Sequence, residues 1–208
     1  MKKDYTHIII LIDRSGSMNG IQKDMEGGLT EFIKKQTDLP GTCTITAAQF
    51  DSHYEKLHSL KNAAEVGEIK INPRGNTALI DSMCKLIIDS GKELSSLKEE
   101  DRPEKVLFLT ITDGEENSSH EYTNKQLKEM IKLQEEVYKW EFAYIGANQD
   151  SFSVASDLGI SNSSTKSFNY TATSAGIGAM LTNLSTSTAT YRSSTTGPFS
   201  FTNNTTNQ

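Results

Sequence analysis

The chain has 208 residues, of which 35% are hydrophobic, with one Trp, two Cys and a formal net charge of −6. That length suits one α/β domain with a tail rather than two full domains. The acidic balance argues against a nucleic-acid surface, which needs clustered Lys and Arg to displace counterions.

Residues 6–12 read as a buried strand, because Ile8-Ile9-Ile10-Leu11-Ile12 is too short and too continuously apolar for a surface helix. The run is also too short for a secretory core and far too short to span a bilayer. The expectation is therefore a cytoplasmic protein without a membrane segment, in which Cys43 and Cys84 remain reduced core thiols. From 20 to 36, Ile21, Met25, Leu29, Phe32 and Ile33 recur at helical spacing, and Pro40-Gly41 closes the segment. Residues 42–50 are rich in β-branched side chains and read as a strand. Asp51-Ser52-His53 is short enough for a hairpin turn, which makes 54–60 an antiparallel edge strand.

Residues 77–97 form an amphipathic helical pattern, and 104–112 is the most apolar strand of the second half. Thr123 with Gln126 has the spacing of a capping box ahead of Leu127, Met130 and Ile131. Residues 140–147 read as another strand, and Asp150 caps a short helix ending at Gly159. After Ser161 the chain carries no acidic residue, and only Lys166 and Arg192 are charged. Ile177, Met180, Leu184 and Tyr191 still make a helical stripe, which places a last packed helix at 172–192. The domain is thus expected over 1–193, with 194–208 a flexible Ser/Thr/Asn-rich tail. Alternation of strands and helices implies a doubly wound, mostly parallel sheet with helices on both faces and one antiparallel edge strand.

In such a sheet, ligands bind beyond the carboxyl ends of the strands where the strand order reverses. Asp13-Arg14-Ser15-Gly16-Ser17 leaves the end of the first strand, and Asp113 leaves the strand ending at Thr112. Thr77, in Gly75-Asn76-Thr77, arrives at a helix start. Two carboxylates and three hydroxyls make an all-oxygen set suited to a hard divalent cation, which takes about six oxygens at roughly 2.1 Å when it is Mg²⁺. The predominance of neutral hydroxyls favours Mg²⁺ over Ca²⁺, and Mn²⁺ fits similarly. The four His residues share no metal-ligand spacing. Arg14 reads as a solvated loop residue, and Glu115 and Glu116 as exposed loop charge. Asp51, His53 and Asn148 belong to the same end of the sheet and are candidates for the rim of a partner surface.

These residues resemble the von Willebrand factor A domain, whose metal-ion-dependent adhesion site has the pattern D-x-S-x-S, a distant Thr and a distant Asp. Asp13, Ser15, Ser17, Thr77 and Asp113 supply that pattern in order, and the resemblance covers residues 5–192 of a compact intracellular type found in bacteria and phages. It implies a Rossmann-like fold in which Ser15, Ser17 and sometimes Thr77 bind the ion directly. Asp13 and Asp113 then act through water or hydrogen bonds. It also implies binding rather than catalysis: a protein partner presents an Asp, a Glu or a C-terminal carboxylate to the cation. No sequence feature specifies an oligomeric state. A structural or assembly component whose metal only stabilises the domain is the second reading. A phosphatase of the aspartyl-phosphate kind ranks last, because Ser15 stands where its second Asp is needed.

Overall fold

The computed structural model describes residues 1–195 and 197–202. The chain runs through β1 (Lys2–Asp13), α1 (Gln22–Thr37), β2 (Thr42–Phe50), β3 (Tyr54–Asn62), α2 (Leu79–Ser96), β4 (Pro103–Thr112) and α3 (Asn124–Glu136). It continues through β5 (Glu141–Ala147), α4 (Ser151–Asp157), α5 (Ser163–Lys166), β6 (Ser167–Tyr170) and α6 (Ser174–Ser193). The six strands form one sheet in the order β3-β2-β1-β4-β5-β6. Only the β2–β3 pair is antiparallel, so the expected edge hairpin is present.

Period-two alternation between two covered faces explains why β1 is apolar from Ile8 to Ile12. Its even positions Ile8, Ile10 and Ile12 pack with Met25, Leu29 and Phe32 of α1 and with Ile177, Met180 and Leu184 of α6. Its odd positions Ile9 and Leu11 pack with Leu79, Met83 and Leu86 of α2 and Leu127 and Ile131 of α3. Both faces of the sheet are therefore covered, as a parallel sheet requires. Thr123 accepts from Gln126 N while the Gln126 side chain returns to the Thr123 backbone, completing the capping box of α3. Asp150 caps α4 through Ser153 N.

Two sequence expectations need correction. β6 was not anticipated, because four residues with only Ser167 and Tyr170 buried carry too little alternation to register. The packed chain also continues past 193. Phe199 and Phe201 are buried in the α1/α6 core, with Phe199 edge-on to Tyr191 at 6.0 Å and Phe201 5.3 Å from Phe168. Phe201 N donates to Thr165 O at 2.9 Å, so the start of the expected tail is docked. Residues 203–208 of that tail lie outside the described residues. Among the described residues, no helix is long and apolar enough to cross a membrane. Cys43 and Cys84 are both free and buried, and burial pushes their thiols up to about 11 and about 12.

Candidate metal centre

β1 and β4 are hydrogen-bonded neighbours, with Ile12 opposite Ile111, so Asp13 and Asp113 emerge side by side at the carboxyl edge of the sheet. The chain then turns sharply. Asp13 Oδ1 accepts from Ser15 N at 2.6 Å, and Gly16–Gly20 forms a 3₁₀ turn pinned by the fully buried Met18. That anchor fixes the two serines above the sheet. Ser15 Oγ lies 3.0 Å from Ser17 Oγ, and Ser17 Oγ donates to Asp113 Oδ1 at 2.7 Å.

Thr77 comes from the loop before α2, and its position is set from outside that loop. Asn117 Oδ1 accepts from Thr77 N at 2.9 Å, while Asn117 N donates to Thr77 O at 3.1 Å. Glu116 accepts from Ile80 N at 2.8 Å and from Ser118 N and Ser119 N at 2.9 and 2.7 Å. α2 has no side-chain cap of its own, since Ala78 occupies that place. Glu116 supplies the missing acceptor at the helix N-terminus. Its role is therefore structural, and not the exposed loop charge expected from the sequence. Asp81 completes the clamp by accepting from the backbone N–H groups of His120, Glu121 and Tyr122. Burial would raise the Asp81 carboxyl, but those three donors hold it below the usual carboxylate range.

The convergence is best seen from Gly114. A methyl carbon built on it would stand 3.0 Å from Thr77 Oγ1 and 3.7 Å from both Asp13 Oδ2 and Ser15 Oγ. Oxygens from two separate segments, the Asp13–Ser15 turn and the Thr77 loop, thus converge beside Gly114 of a third, and Ser17 and Asp113 connect to them through Ser15. Asp13, Ser15 and Thr77 are buried, Asp113 is half-buried and Ser17 is exposed, so the space opens to solvent on the Ser17 side. All five residues singled out from the sequence therefore meet, and their donor set is wholly oxygen.

Thr112 adds a contact that sequence reasoning missed: its hydroxyl donates a short hydrogen bond to Asp13 Oδ2 and accepts from Gly114 N. Its signal was available in the Thr-Asp-Gly run. Among the described residues, neither Asp13 nor Asp113 has an ion-pair partner. Burial pushes the Asp13 carboxyl up to about 6 against hydrogen bonds from Thr112 and Ser15, with the Asp113 charge adding to the rise. Burial raises Asp113 as well.

The shift at Asp13 has a stability consequence with a definite sign. A folded state whose carboxyl titrates near 6 keeps a proton that the unfolded chain has already released above about 4. Stability from this group is therefore present below pH 4 and lost as the pH rises to 6. With EDTA present, Asp13→Asn should gain on the wild type across that interval, by on the order of 3 kcal/mol. Urea denaturation at pH 4 and pH 6.5 measures the change, and a constant difference between the two proteins would refute it.

Arg14 departs furthest from expectation. It is not solvated but 3% exposed. Its Nε donates to Asp51 Oδ2 at 2.8 Å, and its Nη1 pairs with Glu55. Arg74 Nε donates to the same Asp51 oxygen at 2.8 Å. Asp51 is accordingly a buried anchor rather than part of a rim, whereas His53 and Asn148 are exposed. Backbone bonds tie this cluster to the site: Arg14 N to Phe50 O, Arg74 N to Arg14 O and Gly16 N to Gly75 O.

No family model matches the sequence, and no curated protein matches it. Solved structures do match. The ArnB paralog VWA2 from Sulfolobus acidocaldarius superposes with a TM-score of 0.58 at 16% identity over 87% of this chain and 44% of that one. Proximal thread matrix protein 1 from the mussel byssus, with a zinc-occupied MIDAS motif, gives 0.60 at 15% identity over 89% and 46%. The vWF domain of the type V pili tip protein Mfa5 from Porphyromonas gingivalis gives 0.61 at 10% identity over 92% and 97%. The architecture is thus a Rossmann-like sheet of the von Willebrand factor A kind. The chain spans less than half the length of the first two of these proteins.

Proposed function

We propose that this chain is a metal-dependent protein-binding module whose cation is held by Asp13, Ser15, Ser17, Thr77 and Asp113. The observation that carries the reading is the convergence beside Gly114, where a carboxylate and two hydroxyls from two other loops would stand within 3.7 Å of a methyl carbon on that residue. Ser15, Ser17 and Thr77 would hold the ion directly, and Asp13 and Asp113 through water or hydrogen bonds. Mg²⁺ is the proposed ion, with Mn²⁺ or Ca²⁺ as substitutes, because hard cations take oxygen donors. When bound, the cation supplies an electrophilic position that a partner's Asp, Glu or C-terminal carboxylate can occupy.

The protein's own part is to hold the oxygens in place. Asp13 orients the Ser15 backbone, Ser17 bridges Ser15 to Asp113, and Asn117 sets Thr77. The solvent-facing Ser17 side leaves an approach for a partner. The zinc-occupied MIDAS of the mussel protein supports a metal at this place in the fold. We read the module as non-catalytic and as a resident of a reducing compartment, in keeping with the free Cys43 and Cys84.

Affinity capture in Mg²⁺, in EDTA and with Asp13→Ala tests the reading. Partners held by the wild type in Mg²⁺ should be lost in both other arms, while circular dichroism of Asp13→Ala stays that of a folded protein. Retention of the same partners in all three arms overturns it.

A further inference from the structure

Beside the metal loop lies a groove of about 570 Å³ lined by Arg14, Asp51, Ser52, His53, Tyr54, Glu55, Arg74 and Gly75. Each of its acidic groups has an arginine partner, Asp51 through a buried carboxylate and Glu55 through one oxygen of a side chain that is 50% exposed. Asp51 Oδ2 accepts from Arg14 and Arg74, Asp51 Oδ1 accepts from His53 N at 2.8 Å, and Glu55 accepts from Arg14 and from Gln49 Nε2 at 3.2 Å. The Arg74 guanidinium is engaged through Nε alone. Among the described residues, no acceptor reaches its two terminal nitrogens, and its side chain is 62% exposed. His53 lies on the other oxygen of Asp51, with Nδ1 3.4 Å from Asp51 Oδ1 and a ring that is 83% exposed.

Arg74 is also held in register with the metal loop. Its N–H donates to Arg14 O at 2.8 Å, Asp51 fixes its Nε, and Gly75 O accepts from Gly16 N at 3.2 Å. The free edge of a planar guanidinium is therefore carried on a segment hydrogen-bonded to the loop of Ser15 and three residues ahead of Thr77. Such an edge matches a carboxylate bidentately. On a chain of net charge −6 an acidic partner is repelled in general, so a local cationic donor decides where its second acid can rest.

We propose that this groove is a second carboxylate subsite, and that the partner's recognition element is an acidic peptide segment carrying two carboxylates. One is taken at the metal centre and the other by Arg74 with His53. This inference rests on the metal-dependent binding proposed above and adds the sequence character of the partner.

The test uses end-blocked synthetic peptides with one Asp, or with two Asp separated by none to three Gly, titrated onto the full chain in Mn²⁺ and in EDTA. One spacing should bind the wild type about tenfold more tightly than the single-Asp peptide in Mn²⁺, the size of one charge-assisted hydrogen-bonded pair. In Arg74→Gln that ratio should fall to near one, and Arg74→Lys, which keeps charge without the fork, should restore only part of it. A ratio unchanged in Arg74→Gln, or equal at all spacings, would mean that extra charge alone drives binding and would overturn the subsite. Metal-dependent binding of the single-Asp peptide with no gain from a second Asp would overturn the subsite and leave the metal-centre reading standing. Absence of any Mn²⁺-dependent binding would overturn both.

Discussion

Gly114→Ala is expected to abolish the response to divalent cations while leaving the chain folded. The added methyl would stand 3.0 Å from Thr77 Oγ1 and 3.7 Å from Asp13 Oδ2 and Ser15 Oγ, in the space where a cation would need oxygens at roughly 2.1 Å. The backbone at Gly114 lies outside the left-handed region, so alanine meets no backbone strain there, and the crowding falls on the buried Thr77 hydroxyl. The loss of unfolded-chain freedom on replacing a glycine, about 0.4–1 kcal/mol, offsets part of that crowding. Wild type at ten times the dissociation constant of Mg²⁺ should gain about 1.4 kcal/mol, a shift of a few degrees for a domain of this size. The variant should show no shift at the same concentration. An equal shift in both proteins would mean that the cation sits elsewhere or does not bind, and the five-residue centre would lose its chemical meaning.

This substitution also shows why so much of the site could be read from the sequence. Asp13 and Asp113 directly follow long apolar runs, and a parallel sheet forces such runs into its centre with their carboxyl ends together. Thr77 was legible because an apolar helical pattern begins two residues later. What escaped were contacts made between positions far apart in the chain. Arg14 looks like any loop arginine until Asp51 and Glu55, 37 and 41 positions on, are brought against it. Glu116 and Asn117 hold an N-terminus that belongs to another segment. The missing cap at Ala78 was the available hint that an acceptor had to come from outside. Phe199 and Phe201 alternate over three residues only, too few to separate a docked strap from a polar tail, and their burial depends on Tyr191 and Phe168 being in place. β6 is similar, because its burial comes from what covers it rather than from its own pattern.

Asp51→Ala should cost about 3–5 kcal/mol of folding stability, the range for removing one partner of a buried ion pair. Its carboxylate is 1% exposed and takes both guanidinium Nε groups on one oxygen and the His53 N–H on the other. Arg74 can turn to solvent when that acceptor goes, but Arg14 cannot, since it is 3% exposed and bound on its backbone to Phe50 and Arg74. A charge would then remain in the interior with only Glu55 beside it. The damage should spread to the metal centre, because Asp51 O also accepts from Ala78 N at 3.0 Å, next to Thr77. Burial would raise the Asp51 carboxyl, yet the Arg74 hydrogen bond, the His53 N–H and the Arg14 charge hold it below the usual carboxylate range. Its contribution is therefore present above pH 4 and lost as the pH falls through the lowered value. The wild-type advantage over Asp51→Ala should accordingly shrink on strong acidification, opposite in sign to the behaviour expected of Asp13→Asn. Pairing Asp51→Leu with Arg14→Met removes both buried charges and should recover much of the loss in denaturant melts, since apolar side chains of similar volume often replace buried pairs at little cost. Additive losses in that double variant would show that the two residues act separately, and that the ion pair is not what joins the Arg14 loop to the Thr77 loop.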